Sequence, residues 1–147
     1  MTDRTGGCLC GAVRFSVTGG RDDFGICHCK ACQRWTGAMF PGIVCRAEQV
    51  RVEGAENVAV YRSSAENTRS FCRTCGATLW FRGPAAGHAE PYYEIAVGTL
   101  DDTTGLTLTH EVFTDRKPDA WALSGDHIRD TEAEYFRKVA AAGSDAG

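Results

Sequence analysis

The sequence predicts an all-β domain with one short helix near its C-terminus. Short segments rich in β-branched and aromatic residues recur along the chain, and glycine and proline separate them at close intervals. Only residues 131–142 combine a helical composition with capping residues. Because 147 residues suffice for one domain with a sizeable core, we expect a single domain over residues 1–147.

Eight segments are predicted to be strands. In the first, residues 12–17, Val13, Phe15 and Val17 alternate with polar residues, which is typical of a strand with one buried face. The others are short and rich in β-forming residues: 38–45, 50–54, 58–63, 68–72, 77–82, 92–100 and 106–113. Because residues 68–72 and 77–82 flank a turn, we expect them to form a hairpin.

The predicted C-terminal helix covers residues 131–142. Thr131 and Glu134 have the spacing of a capping box, and Glu134 and Lys138 are placed to form an ion pair across one turn. Residues 31–35 can add a helical turn earlier in the chain, and the tail 143–147 is expected to fray.

Composition and charge argue against several function classes. The net charge of −3 argues against a nucleic-acid partner, which usually selects a basic surface. No apolar run approaches the roughly 18 residues that a membrane span requires, and the first residues lack the apolar centre of a signal peptide. We therefore expect a cytoplasmic protein whose cysteines remain reduced.

The eight cysteines form three closely spaced groups and one isolated residue, a pattern that predicts metal ligands before disulfides in a reducing compartment. The groups are Cys8 with Cys10, then Cys27, Cys29 and Cys32, and finally Cys72 with Cys75; the isolated residue is Cys45.

The pair Cys72 and Cys75, followed by Gly76, has the spacing of a zinc knuckle, in which a turn directs two sulfurs at one metal. Two more ligands can come from Cys8 and Cys10, because residues i and i+2 of an extended chain face the same way. We therefore predict a structural zinc site with four cysteine ligands, which leaves no position for a substrate.

The remaining group, Cys27, Cys29 and Cys32, predicts a second zinc site with an open fourth position, as in catalytic sites. Zinc with three thiolates is electron-rich and is therefore a poor acid for bound water. Such a site suits a soft ligand better, and a substrate thiol bound there would lose its proton.

Several assignments remain open at this point. The C-x-x-C pairs could be redox motifs, and the three groups could combine differently around the metals. Cys45 could close the middle site or be a core thiol. His28 could be a ligand, although in an extended segment it points away from its cysteine neighbours. His110 could carry protons or be structural.

Several residues beside the cysteines are candidates for substrate binding. Lys30, Arg34 and Arg73 could offset the thiolate charge or hold substrate carboxylates, and Trp35 could form a pocket wall. More often such residues are solvated surface charges and a core aromatic.

Four segments resemble, in order and spacing, the glutathione-dependent formaldehyde-activating enzyme family, also called the CENP-V/GFA domain. They are GGCLCGAVRF, CHCKACQRWTG, FCRTCGATLW and HEVFTDRKPDAWALSGD. The resemblance covers about residues 6–125. It implies a β-tent of small antiparallel sheets with two zinc ions, a structural one at Cys8, Cys10, Cys72 and Cys75 and a catalytic one at Cys27, Cys29 and Cys32.

The resemblance also implies a carbon–sulfur lyase that joins glutathione to formaldehyde as S-hydroxymethylglutathione, or reverses that reaction. Two further function classes fit the residues: a non-catalytic zinc-stapled domain that binds protein or nucleic acid, and a redox protein that uses the middle thiols. A pocket at an open metal position would favour the enzyme, whereas a disulfide formed in reducing cells would favour redox chemistry.

Overall fold

The computed structural model describes residues 1–84 and 91–145 and confirms a mainly β fold with a C-terminal helix. Within these residues eleven strands form two sheets. The strands are β1 (Thr2–Gly7), β2 (Arg14–Gly20), β3 (Asp23–Cys27), β4 (Phe40–Cys45), β5 (Val50–Glu53), β6 (Val58–Arg62), β7 (Thr68–Cys72), β8 (Thr78–Gly83), β9 (Tyr92–Ala96), β10 (Thr107–Val112) and β11 (Ile128–Asp130). The helices are α1 (Lys30–Thr36) and α2 (Glu132–Asp145).

The smaller sheet has the order β1-β2-β5 and is antiparallel. The predicted alternation in β2 is confirmed, because Phe15 and Val17 are buried while Arg14 and Ser16 are only partly buried. Strand β1 is not among the predicted strands, because its sequence TDRTGG contains few β-forming residues. It is extended because it pairs with β2.

The larger sheet has the order β11-β10-β3-β4-β9-β8-β7-β6 and includes the predicted β7–β8 hairpin. Strand β10 runs parallel to both of its neighbours, β3 and β11, so the sheet is larger and more mixed than the small antiparallel sheets that we expected. Parallel pairing is possible here because a long chain segment separates β3 from β10. Strands β3 and β11 also lie outside the predicted strands, since both are short and neither alternates.

The predicted C-terminal helix is present and extends three residues further, to Asp145. Thr131 caps it, with its Oγ1 accepting a hydrogen bond from the Glu134 amide at 3.3 Å. Lys138 donates to both carboxylate oxygens of Asp130, at 2.9 and 2.7 Å, instead of pairing with Glu134. The last two residues of the predicted frayed tail lie outside the described residues.

The apolar core lies between the two sheets. Phe15 of β2, and Val13 just before that strand, pack with Leu79, Trp80 and Ile95 of the larger sheet. The Phe15 and Trp80 rings meet edge to face, with their centroids 6.0 Å apart. None of the described helices is long and apolar enough to cross a membrane.

Candidate functional site

The structure brings Cys27, Cys29 and Cys32 together, and we call them the three-cysteine cluster. Their sulfurs all lie within 4.8 Å of one another. Cys27 ends β3, Cys29 caps the N-terminus of α1, and Cys32 lies one turn into that helix. The helix ends at Gly37, whose φ of 80° is readily adopted by glycine. The cysteine side chains at the end of β3 and at the start of α1 therefore point toward one another.

Hydrogen bonds in the three-cysteine cluster favour negative charge on Cys29. The pKa of Cys29 is lowered by hydrogen bonds from the Cys27 and Cys32 thiols, then by the Cys32 amide and the nearby Arg69 charge. The pKa of Cys27 is raised, because its proton is held between its two cysteine neighbours. A cation at the centre of the cluster would replace these shared protons.

The side chain of His28 points away from the three-cysteine cluster. Its Nε2 lies 2.6 Å from the Glu111 carboxylate, and the residue is fully buried. His127 binds the other carboxylate oxygen of Glu111, at 2.5 Å. Although burial opposes ionisation, hydrogen bonds from His127 and His28 lower the pKa of Glu111. His28 therefore anchors the segment between Cys27 and Cys29, and its side chain is not placed to bind a metal at the cluster.

All three cysteines of the cluster line a cavity of about 860 Å³. Its size falls within the range of roughly 300–1,000 Å³ typical of small-molecule sites. In the described part of the chain, no histidine nitrogen or carboxylate oxygen completes the three-cysteine cluster. One side of the cluster thus faces the space that a small molecule can enter.

Arg69 is a residue of this site that the sequence analysis missed. It lies on β7 and is buried, and its Nη1 is 3.5 Å from the Cys32 sulfur. The guanidinium sits 4.9 Å from the Trp35 ring centroid and 5.2 Å from that of Phe81. The sequence did contain a signal for Arg69: this arginine lies inside a predicted strand, three residues before the cysteine, Cys72, that ends it.

Glu94 is a second residue that was missed. It lies on β9, lines the same cavity and leans across Gly42 of β4, where any Cβ would clash with it. Burial raises the pKa of Glu94 to about 7, while Arg69 lowers it and Cys29 raises it further. The signal in the sequence was a lone charge among the aromatic and aliphatic residues of 92–96.

The second predicted group is also assembled, and we call it the four-cysteine cluster: Cys8, Cys10, Cys72 and Cys75, with sulfurs within 4.8 Å of one another. Cys72 and Cys75 lie on the expected turn, in which the Gly76 amide donates to the Cys72 carbonyl at 2.8 Å. Cys8 and Cys10 lie on a turn as well, and not on the extended chain that we expected. Gly11, at φ 83°, makes that turn possible.

Both clusters have the donor set of a metal site. Converging cysteine sulfurs select soft or borderline metal ions. In the four-cysteine cluster, the Val13 amide donates to the Cys8 sulfur at 3.2 Å. A hydrogen bond from the Ala77 backbone is the main cause that lowers the pKa of Cys75, to about 6. The cysteines of each cluster can therefore bind one metal ion through their thiolate sulfurs.

The four residues predicted to bind substrate do not converge on the cavity. Lys30 and Arg34 are exposed on α1, and Arg73 is exposed with its guanidinium on the Val58 carbonyl at 3.2 Å. Trp35 packs on Phe40, with ring centroids 5.0 Å apart, and against Arg69; both of these partners line the cavity, whereas Trp35 does not. A substrate-binding role for these four residues remains a prediction. Their positions outside the cavity lining do not support it.

Cys45 and His110, whose roles the sequence left open, occupy different parts of the molecule. Cys45 is buried in the core, where burial raises the pKa of its thiol to about 11, and it lies outside both clusters. His110 lines the cavity, with its ring directly over Gly25 of β3.

With this geometry established, comparison with known proteins gives the family. The model of the family described as glutathione-dependent formaldehyde-activating enzyme matches residues 3–116. The chain belongs to this family. The matched region contains both cysteine clusters as well as Arg69 and Glu94.

Individual members of the family support the same relationship. An uncharacterized lyase of Schizosaccharomyces pombe is 31% identical over 139 residues, which are 95% of this chain and 98% of the relative. A protein of Halomonas elongata named after the formaldehyde-activating enzyme is 32% identical over 87 residues, which are 54% of this chain and 55% of that protein. These relatives are named as enzymes, and the chain is an enzyme of the same lyase class.

A solved structure shares the fold. The crystal structure of a Rhodobacter sphaeroides protein has a TM-score of 0.54 and 28% sequence identity to this chain. The match covers 85% of this chain and 98% of that protein.

Proposed function

We propose that this family member is a zinc-dependent carbon–sulfur lyase that adds a thiol to a small aldehyde, or reverses the addition. The observation that carries the proposal is the three-cysteine cluster, which opens on a cavity large enough for a tripeptide thiol. The relatives' names refer to glutathione and formaldehyde, and we propose this pair, or close analogues, as the substrates.

We propose zinc for both clusters, since four thiolates suit a closed structural site and three thiolates an open catalytic one. Cys8, Cys10, Cys72 and Cys75 would hold the structural ion, and Cys27, Cys29 and Cys32 the catalytic ion. When bound at the open site, zinc would lower the pKa of an incoming thiol, so that the thiol reacts as its thiolate.

The residues around the three-cysteine cluster would perform the other tasks of the reaction. The cavity excludes bulk water from the reacting sulfur and holds the aldehyde beside it, which favours addition. Arg69 offsets the negative charge that accumulates on the sulfurs and can attract the polarised aldehyde oxygen. The buried bond between His28 and Glu111 holds the backbone between Cys27 and Cys29 in place.

The same proposal includes the partners and the location. We expect the partners to be a small-molecule thiol and an aldehyde, and we expect no nucleic-acid or membrane partner. We expect the protein to be cytoplasmic, where the thiols of both clusters stay reduced. A reducing compartment also supplies the free thiol that the reaction consumes.

The test compares wild-type protein with Cys29→Ser. Exchange spectroscopy on ¹³C-formaldehyde with glutathione measures how fast the adduct forms and breaks. Wild type should accelerate this exchange, whereas Cys29→Ser should lose at least about 100-fold in rate and retain one zinc per chain, because only the open site has lost a ligand.

The control is Cys45→Ala, which removes a buried thiol outside both clusters. This variant should keep both metal ions and the exchange activity, with a modest loss of packing. If wild type with both metals bound does not accelerate exchange, the lyase proposal is wrong. A disulfide between cluster thiols in protein from reducing cells would instead favour redox chemistry.

A further inference from the structure

Of the three carboxylates that line the cavity, only Glu94 has no short ion pair in the described part of the chain. Asp23 pairs with Arg21 at 2.8 Å, and Asp130 pairs with Lys138 at 2.7 Å. No described residue donates a hydrogen bond to the Glu94 carboxylate. A half-buried carboxylate without a hydrogen-bond donor is costly to keep charged. The position of Glu94 in the cavity therefore points to a functional role.

Two glycines of the larger sheet leave room for the side chains of His110 and Glu94, which line the cavity. Gly25 of β3 and Gly42 of β4 are directly paired and therefore present the same face of the sheet. His110 of β10 lies over Gly25, and Glu94 of β9 lies over Gly42. On the same face of the sheet, the pair that follows Gly25 and Gly42 is Cys27 with Phe40. The backbone of Glu94 is paired with Val44, so a Glu94 side chain that lies over Gly42 leans toward the strand end that carries the cluster.

From this geometry we propose that Glu94 is a catalytic residue that carries the proton of the addition from the thiol to the aldehyde oxygen. The inference rests on the proposed lyase function and adds the group that moves the proton. The carboxylate first takes the proton of the thiol S–H. The sulfur then forms a bond to the carbonyl carbon, the C=O π bond breaks, and its electron pair moves to oxygen. Glu94 returns the proton to that oxygen, so the product is a hemithioacetal and the carboxylate is regenerated.

The charged and titratable groups around Glu94 suit this role. A general acid–base group works best with a pKa near the operating pH, and burial raises the pKa of Glu94 to about 7. By contrast, burial raises the pKa of the cavity tyrosines Tyr92 and Tyr135 further above neutrality. The other charged and titratable groups of this cavity are Arg69 on β7, the cysteines of β3 and α1, Tyr92 on the strand of Glu94, His110 on β10, Tyr135 and Lys138 on α2, Asp130 on β11, Asp23 on β3 and Arg21 just before β3.

The test uses the metal-loaded protein and the Glu94→Gln variant, with two thiols: glutathione, and 3-mercaptopropionate, which lacks an ammonium group. Removing the proton carrier should lower kcat by about 100-fold or more with both thiols and leave KM nearly unchanged. In wild type, kcat should rise with pH through the pKa of Glu94, because only the ionised carboxylate can accept the thiol proton. That rise should be absent in Glu94→Gln.

The matched control is Glu53→Gln, the same substitution at an exposed carboxylate of β5 outside the cavity. It should keep both kcat and the pH profile of wild type. Glu94→Asp keeps a carboxylic acid and shortens its reach, so it should lose less kcat than Glu94→Gln and retain the pH-dependent rise. This variant keeps the test valid if Glu94→Gln does not fold. In the ¹³C spectrum of glutamate-labelled protein, one carboxyl signal should titrate near neutral pH and be absent in Glu94→Gln.

The outcomes separate this inference from the proposed function. Wild type that accelerates exchange, with Glu94→Gln equal to it in kcat and pH profile, overturns the role of Glu94 alone. A loss confined to KM for glutathione shows instead that Glu94 binds the ammonium group. If His110→Gln removes the pH-dependent rise and Glu94→Gln does not, His110 is the proton carrier. Wild type without activity toward either thiol overturns the lyase proposal and the proton transfer with it.

Discussion

Arg69 places a buried positive charge against sulfurs that must be negative to bind a metal. Its Nη1 is 3.5 Å from Cys32, and the rings of Trp35 and Phe81 lie beside the guanidinium. These contacts restrict the arginine to one orientation and keep it partly desolvated, where its charge acts most strongly. Arg69 therefore stabilises the thiolate form of the three-cysteine cluster.

We predict that Arg69→Met weakens metal binding at the three-cysteine cluster by about 10- to 100-fold, the range typical of residues that support metal ligands. Methionine keeps apolar contact with the rings but removes the charge. Competition with a chromophoric chelator measures the affinity. Arg51→Met, on the exposed side of β5, is the control and should bind metal as wild type does. Equal affinities in the two variants would contradict this role of Arg69.

At the scale of elements, Glu111 connects the end of β3 to the segment before β11. Its carboxylate oxygens bind His28 and His127 at 2.6 and 2.5 Å, and Arg129 approaches one of them at 3.4 Å. Glu111 and both histidine side chains are almost completely buried. This network fixes β10 against the corner that carries Cys27 and Cys29.

We predict that Glu111→Gln destabilises the fold by about 1–3 kcal/mol, because glutamine cannot accept from both histidines and one buried donor loses its partner. Since the folded-state pKa of Glu111 lies below its ordinary value of 4.5, its ionisation stabilises the fold above that pH. The stabilisation is lost as the pH falls through the folded-state pKa.

Urea unfolding at pH 7 and at acidic pH measures both effects. The difference between wild type and Glu111→Gln should shrink as the pH falls, whereas Glu53→Gln, at an exposed position of β5, should match wild type throughout. A difference that does not change with pH would show that the charge of Glu111 contributes nothing.

For the whole molecule, the two clusters differ in how much of the chain they join. The four-cysteine cluster links the turn after β1 to the β7–β8 turn, more than sixty residues later by the separation of Cys10 and Cys72. The three-cysteine cluster takes all its ligands from residues 27–32 and opens on the cavity. Its metal can therefore leave without opening the fold.

We predict that a mild chelator at neutral pH removes roughly one metal ion per chain while the β circular dichroism signal is retained. The first ion should come from the three-cysteine cluster, which has fewer sulfurs and an accessible side. Cys29→Ser should lack this first phase and still fold, whereas Cys8→Ser should fold poorly. Simultaneous loss of both ions together with unfolding would show that the three-cysteine cluster is a second structural staple.

Much of the architecture follows from local patterns. The alternation in residues 12–17, the glycine and proline punctuation and the Thr131 cap depend on nearby residues only, so they predict the mainly β fold and the final helix. The grouping of seven cysteines into three short motifs follows similarly from their spacing, whereas the four-cysteine cluster joins two motifs that lie more than sixty residues apart. The sequence left the roles of Cys45 and His28 open, and the structure places Cys45 in the core and His28 against Glu111.

The tertiary structure alone decides which charges reach the site. Arg69 and Glu94 come from β7 and β9, which strand pairing brings to the cysteines of β3 and α1, whereas Lys30 and Arg34 are neighbours in sequence and point to solvent. The parallel placement of β10, and with it Glu111 and His110, depends equally on long-range pairing. Spacing in sequence determines a metal site built from one turn, but a cavity is formed by distant strands, and its charges depend on their order and register.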